Sequence, residues 1–296
     1  MSKSNYLLFI IPALIWGSTW YVITYQLGSV DPIVSVSYRF MLAGIILLVY
    51  AKVIKLPMHF SSKAHLMIML QGFLLFGTNY WLVYQSEQYL SSGLVAVAFS
   101  TLIFLNIFFG SIFLGSKINS RVVLGAIAGL IGTFLIYQAE FRIFSLEGDQ
   151  LKGLLLCMGS IVLASLGNIT SAYNQKKHNL PVIQTNAFGM IYGASMMLLI
   201  AVLTGKSITF DTSLSYILSL GYLSIFGSII AFTGYLTLIG RIGADKAAYT
   251  IVFVPVIALT ISTFFEGYEP DIYAYMGIAL ILLGNIMALF KKPTTS

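Results

Sequence analysis

The chain has 296 residues, of which 58% are hydrophobic and only 9% charged. A soluble domain carries about a quarter charged residues, so this composition excludes a water-soluble globule and makes the bilayer the solvent for most of the chain. The formal charge of +6 is spread as single and paired basic residues between apolar runs, with no basic stripe interleaved with aromatics, which excludes a nucleic-acid surface.

The start, Met1-Ser2-Lys3 followed by apolar residues from Tyr6, lacks a small-x-small cleavage site and reads as a retained first span. Ten apolar runs follow, each about long enough to cross a bilayer as a helix. They cover roughly 5–25, 33–53, 66–86, 92–114, 120–138, 152–173, 183–204, 213–238, 246–265 and 272–290. Of the prolines, only Pro12 and Pro255 fall inside runs. Each removes a helical hydrogen bond and frees a carbonyl one turn earlier, so both are hinge candidates.

Span 1 offers Trp16 and Trp20 one turn apart. Span 2 carries Arg39 in its outer part. A charge at that depth needs a partner or water. Glu87 and Asp31 are the acids within reach, and a substrate carboxylate is the other choice. In span 3, Gln71, Thr78 and Gln85 recur every seven residues with Asn79 and Ser86 beside them, while Phe76, Tyr80, Tyr84 and Glu87 fall on the opposite side. One of these faces should line a wet cavity; the sequence leaves open which. Span 4 contributes Phe104, span 6 Asn168, span 8 Tyr235 and span 9 Tyr249. Amides bind polar groups without fixing a charge, and aromatic faces cover apolar or cationic parts. Together with Trp16, Trp20, Arg39, Asn79, Tyr80 and Tyr84 these are the candidate substrate-binding residues.

No acid lies at the middle of any run, and His59, His65 and His178 fall in or near loops. Glu87 is therefore the candidate coupling group, and the scarcity of deep acids favours facilitated diffusion or exchange. Cys157, the single cysteine, reads as a small buried hydrophobe. No Cys/His cluster has metal-ligand spacing, so neither a metal nor a cofactor is expected. Gly125, Gly129 and Gly132 share one face of span 5, and Gly277, Ile281, Gly284 and Ala288 one face of span 10. Such faces pack helices closely, either within a monomer or in a weak homodimer.

Charge orients the runs. With the N-terminus in the cytoplasm and loops alternating, twelve basic residues fall inside and only Arg142, Lys152 and Lys206 outside. That satisfies the positive-inside rule in one orientation and places both termini in the cytoplasm.

The chain also repeats itself. A shift of 150 residues carries Phe76-Gly77-Thr78 onto Phe226-Gly227-Ser228 and Gly17 onto Gly167. Each repeat, 1–145 and 146–296, then holds five spans, an odd number, so the second enters the membrane inverted. The expected fold is an all-α integral membrane protein of ten transmembrane helices in two inverted five-helix repeats, integrated as one membrane domain. Such symmetry suits transporters with a midplane site.

Several segments resemble the EamA-type branch of the drug/metabolite transporter superfamily. They are Ile15-Trp16-Gly17-Ser18-Thr19, Tyr38-Arg39-Phe40 with Ala43, Ser91-Ser92-Gly93-Leu94-Val95-Ala96, and Ala258 to Glu266 running on to Gly277 and Gly284. The resemblance implies a ten-helix exporter of small metabolites such as amino acids, working in a bacterial inner membrane by alternating access. Leu114-Gly115 stands where many relatives carry an acid, so no symmetric acid pair operates. Two other classes compete. An intramembrane enzyme needs a convergent nucleophile and base, and the spans hold neither Gly-x-Ser-x-Gly nor histidine. A channel or lipid scramblase is the alternative, distinguished by conductance without saturation.

Overall fold

In the computed structural model, the described residues are 3–90, 92–138, 148–265 and 270–289. Ser91, Arg142, Glu266 and the repeat boundary at 145/146 lie outside them. Among the described residues the secondary structure is helical. The helices are α1 (Lys3–Thr24), α2 (Pro32–Val53), α3 (Ser62–Ser86), α4 (Ser92–Phe99 with Leu102–Leu114), α5 (Ser120–Ile136), α6 (Gly148–His178), α7 (Val182–Leu203), α8 (Leu214–Ile242), α9 (Tyr249–Phe265) and α10 (Ile272–Leu289). Seven helical stretches are long and apolar enough to cross a membrane, and α5 and Ile272–Ala288 are shorter apolar helices.

The helix ends follow local chemistry. Asp31 caps α2, its Oδ1 accepting from the Ile33 N–H at 3.1 Å, with Pro32 at the first helical position. Ser61, Asn119 and Ser213 cap α3, α5 and α8 in the same way. Asp31 also meets Lys206 at 2.9 Å. Lys206 is about half exposed, so the ion pair should contribute less than the cap. Asp31→Ala should therefore cost about 1 kcal/mol and Lys206→Ala less, by thermal unfolding in detergent. The reverse order would mean that the ion pair, not the cap, holds this end of α2.

Two runs expected to be continuous are not. Span 4 breaks at Ser100-Thr101, where backbone bonds reach back three residues and the Thr101 hydroxyl takes the Ala98 carbonyl. Short hydroxyl side chains compete with the helix for its own carbonyls. Span 9 begins with a single turn, Ala244–Ala247, before α9. Both prolines, by contrast, lie inside continuous helices.

The packing exchanges under a shift of five helices. Helix α1 packs on α8 and α9, and α6 packs on α3 and α4. Helix α2 lies along α7, and α5 along α10. Glycines permit the closest approaches: a Cβ on Gly132 would sit 2.5 Å from the Gly277 carbonyl oxygen, and one on Gly284 2.5 Å from that of Gly125. The glycine faces of α5 and α10 thus pack on each other. Their outer faces, with Leu124, Ile131 and Phe134 on one and Leu283 and Ile286 on the other, are exposed, as suits lipid.

The repeated triplets both mark π-helical segments: Phe76-Gly77 closes Phe73–Gly77 in α3, with Thr78 just after it, and Phe226-Gly227-Ser228 lies inside Leu223–Ile230 in α8. A π turn inserts one residue into the helix and marks functional sites more often than chance. In α8 the Ser228 hydroxyl donates to the Leu223 carbonyl at 2.9 Å, satisfying a group the wide turn loosens.

Candidate functional site

Where α1, α3, α4, α6, α8 and α9 meet, they leave a cavity of about 60 Å³. That holds a handful of waters. Its polar and aromatic lining is Trp16, Thr19, Trp20, Asn79, Tyr80, Phe99, Asn168, Phe232 and Tyr235. The cavity draws on both repeats.

The walls are braced. Trp16 Nε1 donates to the Gly227 carbonyl at 3.2 Å, and its ring meets Phe232 and Tyr235 edge-on at 5.1 and 5.0 Å. Trp20 packs on Phe99 at 5.2 Å. Asn168 Nδ2 donates to the Tyr235 hydroxyl at 3.2 Å, and Asn79 Nδ2 to the Leu75 carbonyl at 3.4 Å. Three buried polar atoms on these side chains have no partner among the described residues: Trp20 Nε1, Asn79 Oδ1 and Asn168 Oδ1. Buried polar groups are normally bonded. The lining therefore carries one spare donor and two spare acceptors, a set suited to an uncharged polar group flanked by apolar surface.

Six sequence candidates line this cavity: Trp16, Trp20, Asn79, Tyr80, Asn168 and Tyr235. Four do not. Tyr249 lies between α5 and α9, its hydroxyl on the Val122 carbonyl, and so joins helices. Phe104 packs, partly buried, against the core. Tyr84 is fully buried behind the wall, its hydroxyl 3.4 Å from Arg39 Nη1. Arg39 is also fully buried, with Nε on Ser228 Oγ at 3.0 Å and its guanidinium 4.5 Å from the Tyr80 ring centre. Asp31 pairs with Lys206 instead, which removes one of the two partners considered for Arg39. Glu87 lies at the end of α3 with both carboxylate oxygens buried and without a hydrogen-bond partner among the described residues.

The two faces of span 3 also need correction. Helical periodicity puts Asn79 and Tyr80 in different groups, yet both line the cavity, along with Leu75 and Val83. Asn79 and Tyr80 are neighbours on one regular helical turn and flank the cavity together, while the π segment at 73–77 shifts the phase between Gln71 and Asn79. Gln71 instead meets Asn174 of α6 at 3.0 Å.

Sequence reading missed Thr19, Phe99 and Phe232, which look like ordinary core. It also missed Asn106, the one amide in span 4, where a lone amide in an apolar run was a usable signal. Asn106 accepts from Ser165 at 2.7 Å and donates to the Ala244 carbonyl at 3.2 Å. It lines a small polar pocket with Lys117, Asn119, Lys176 and Asp245.

Comparison with known proteins agrees with this architecture. The EamA-like transporter family model matches residues 3–138 and again 151–290. The chain is 28% identical over 283 residues to the uncharacterized inner membrane transporter YedA of Escherichia coli, covering 94% of this chain and 88% of that one. It is 22% identical over 295 residues to protein PagO of Salmonella typhimurium, covering 98% and 95%. A solved crystal structure superposes with a TM-score of 0.78 at 16% identity, covering 98% of this chain and 97% of the other, a likeness of fold. Two successive family matches on an all-helical, membrane-length bundle leave one assignment: the chain is a membrane transporter and belongs to the EamA-like transporter family.

Proposed function

We propose that the protein is a secondary carrier exporting small amphipathic or zwitterionic metabolites, amino acids or related compounds, across the bacterial inner membrane by alternating access. The observation that carries this reading is the cavity walled by helices from both halves of the chain and lined by aromatics and amides with unfilled hydrogen-bonding capacity. Binding at the junction of inverted repeats gives a substrate nearly equivalent routes to either side. The cavity is too small for a metabolite as it stands, so loading requires the helices to part. Helices α3–α4 and α8–α9 serve as the moving units, and both termini stay in the cytoplasm. The repeats correspond to 1–145 and 146–296.

Counterflow in proteoliposomes tests this. Vesicles preloaded with unlabelled amino acids should take up labelled compound saturably. Asn79→Ala, which removes a spare acceptor from the wall, should lower the specificity of uptake about 3- to 10-fold, the worth of one hydrogen bond, while insertion stays normal. Unchanged uptake in that variant removes α3 from the binding wall. Ion conductance without saturation replaces the carrier with a channel. Glu87 is the coupling candidate, tested in the same vesicles by imposing a pH gradient.

A further inference from the structure

Arg39 is the most costly side chain in the bundle. It is 0% exposed, and an arginine cannot shed its proton to escape burial. A buried charge normally carries a countercharge in direct contact. Here the hydrogen bonds go to two hydroxyls, Ser228 and Tyr84. Glu87 lies within electrostatic reach but does not bond to it, and Arg39 Nη2 has no hydrogen-bond partner among the described residues.

The position of that free nitrogen is informative. Nη2 and the Thr19 methyl both lie 3.1 Å from the point where a Cβ on Gly227 would sit. Thr19 lines the cavity, and so does Tyr80, whose ring covers the guanidinium. The charge is therefore one side chain behind the cavity wall.

Scaffolding does not explain it. Shifted by 150 residues, Arg39 falls on Gly189. There, α7 meets α3 just before its π segment through bare backbone, Gly189 against Gly72. The same packing site in the other repeat is filled without a charge.

We propose that Arg39 is the anion-recognising residue of the substrate site, reached when the Tyr80 ring swings aside, and that the transported compounds carry a carboxylate. A guanidinium binds a carboxylate through two parallel N–H bonds, and the free Nη2 beside Gly227 supplies one of them. The proposal rests on the carrier reading and narrows its substrate class.

Two measurements test it. The first uses no ligand. If Arg39 awaits a countercharge, Arg39→Met in the empty protein should melt at or above the wild-type temperature in detergent. A clear drop assigns Arg39 to the scaffold and overturns the proposal. The second uses probes that differ only in the carboxylate: leucine against isoamylamine, and phenylalanine against phenethylamine. Thermal stabilisation and counterflow should favour each acid over its amine by tenfold or more in the wild type, and Arg39→Gln should erase that preference. Gly227→Ala, which sets a methyl against Nη2, should weaken the acids and spare the amines. Equal response to acid and amine, or equal loss of both in Arg39→Gln, overturns the proposal and leaves the carrier intact. No response to any probe overturns both.

Discussion

Trp16→Ala should cost about 3–5 kcal/mol of stability, the range for deleting a buried tryptophan, and should abolish counterflow in whatever protein survives. The ring bridges the repeats. It lies on α1, donates to Gly227 in the π segment of α8, and meets Phe232 and Tyr235 edge-on. Truncation leaves the Gly227 carbonyl without its donor and removes one cavity wall. Trp16→Phe keeps most ring contact and loses the bond alone, so it should cost about 1 kcal/mol for that bond plus a smaller packing loss. Denaturation in detergent separates the two variants. A Trp16→Ala protein as stable as Trp16→Phe would show that the edge-on contacts contribute little.

Gly132→Val should be the most damaging single substitution at the α5–α10 seam. Its Cβ would lie 2.5 Å from the Gly277 carbonyl oxygen and 2.9 Å from the Ile281 side chain. Those are backbone and branched partners, which do not yield as a flexible tip does. Overpacking costs about 1–3 kcal/mol where a core can shift. Here Gly125 and Gly284 pin the same two helices about two turns away, so the loss should reach about 3 kcal/mol or more. Gly221→Ala is the control. Nothing lies within 4 Å of its added methyl, and exchanging a helical glycine for alanine is worth up to about 1 kcal/mol in the stabilising direction. Melting temperatures that fall equally in both variants would refute the seam as described.

Much of this bundle was legible because the bilayer imposes it. Span length and proline punctuation follow from hydrocarbon thickness and backbone chemistry, and they trace the apolar helices from α1 to α10 in order. The site was legible by residue type. Trp16, Trp20, Asn79 and Asn168 are amphipathic side chains with polar atoms that lipid cannot satisfy. What resisted reading was helix phase. Periodicity assumes 3.6 residues per turn, and the π segment in α3 violates it between the residues whose faces were being compared. The break at Ser100-Thr101 was hidden for a related reason, since hydropathy averages over hydroxyls that act singly. Tyr249 and Phe104 were misplaced because an aromatic in an apolar run looks the same whether it joins helices or lines a cavity. Arg39 was visible as costly, but its layer behind Tyr80 is a tertiary fact.

The bonds around Asn106 make two corresponding helix junctions of the bundle unlike. Asn106 ties α4 to α6 through Ser165 and to the turn before α9 through Ala244. Under the 150-residue shift, Asn106 and Ser165 fall on Val256 and Ile15, both packed in the apolar core. Hydrogen bonds are directional and fail within a fraction of an ångström, whereas apolar contact is non-directional and gives way in proportion to the area exposed. The junction of α4 with α6 is therefore fastened by a clasp and its counterpart, α9 on α1, by adhesion: the first lets go all at once, the second peels.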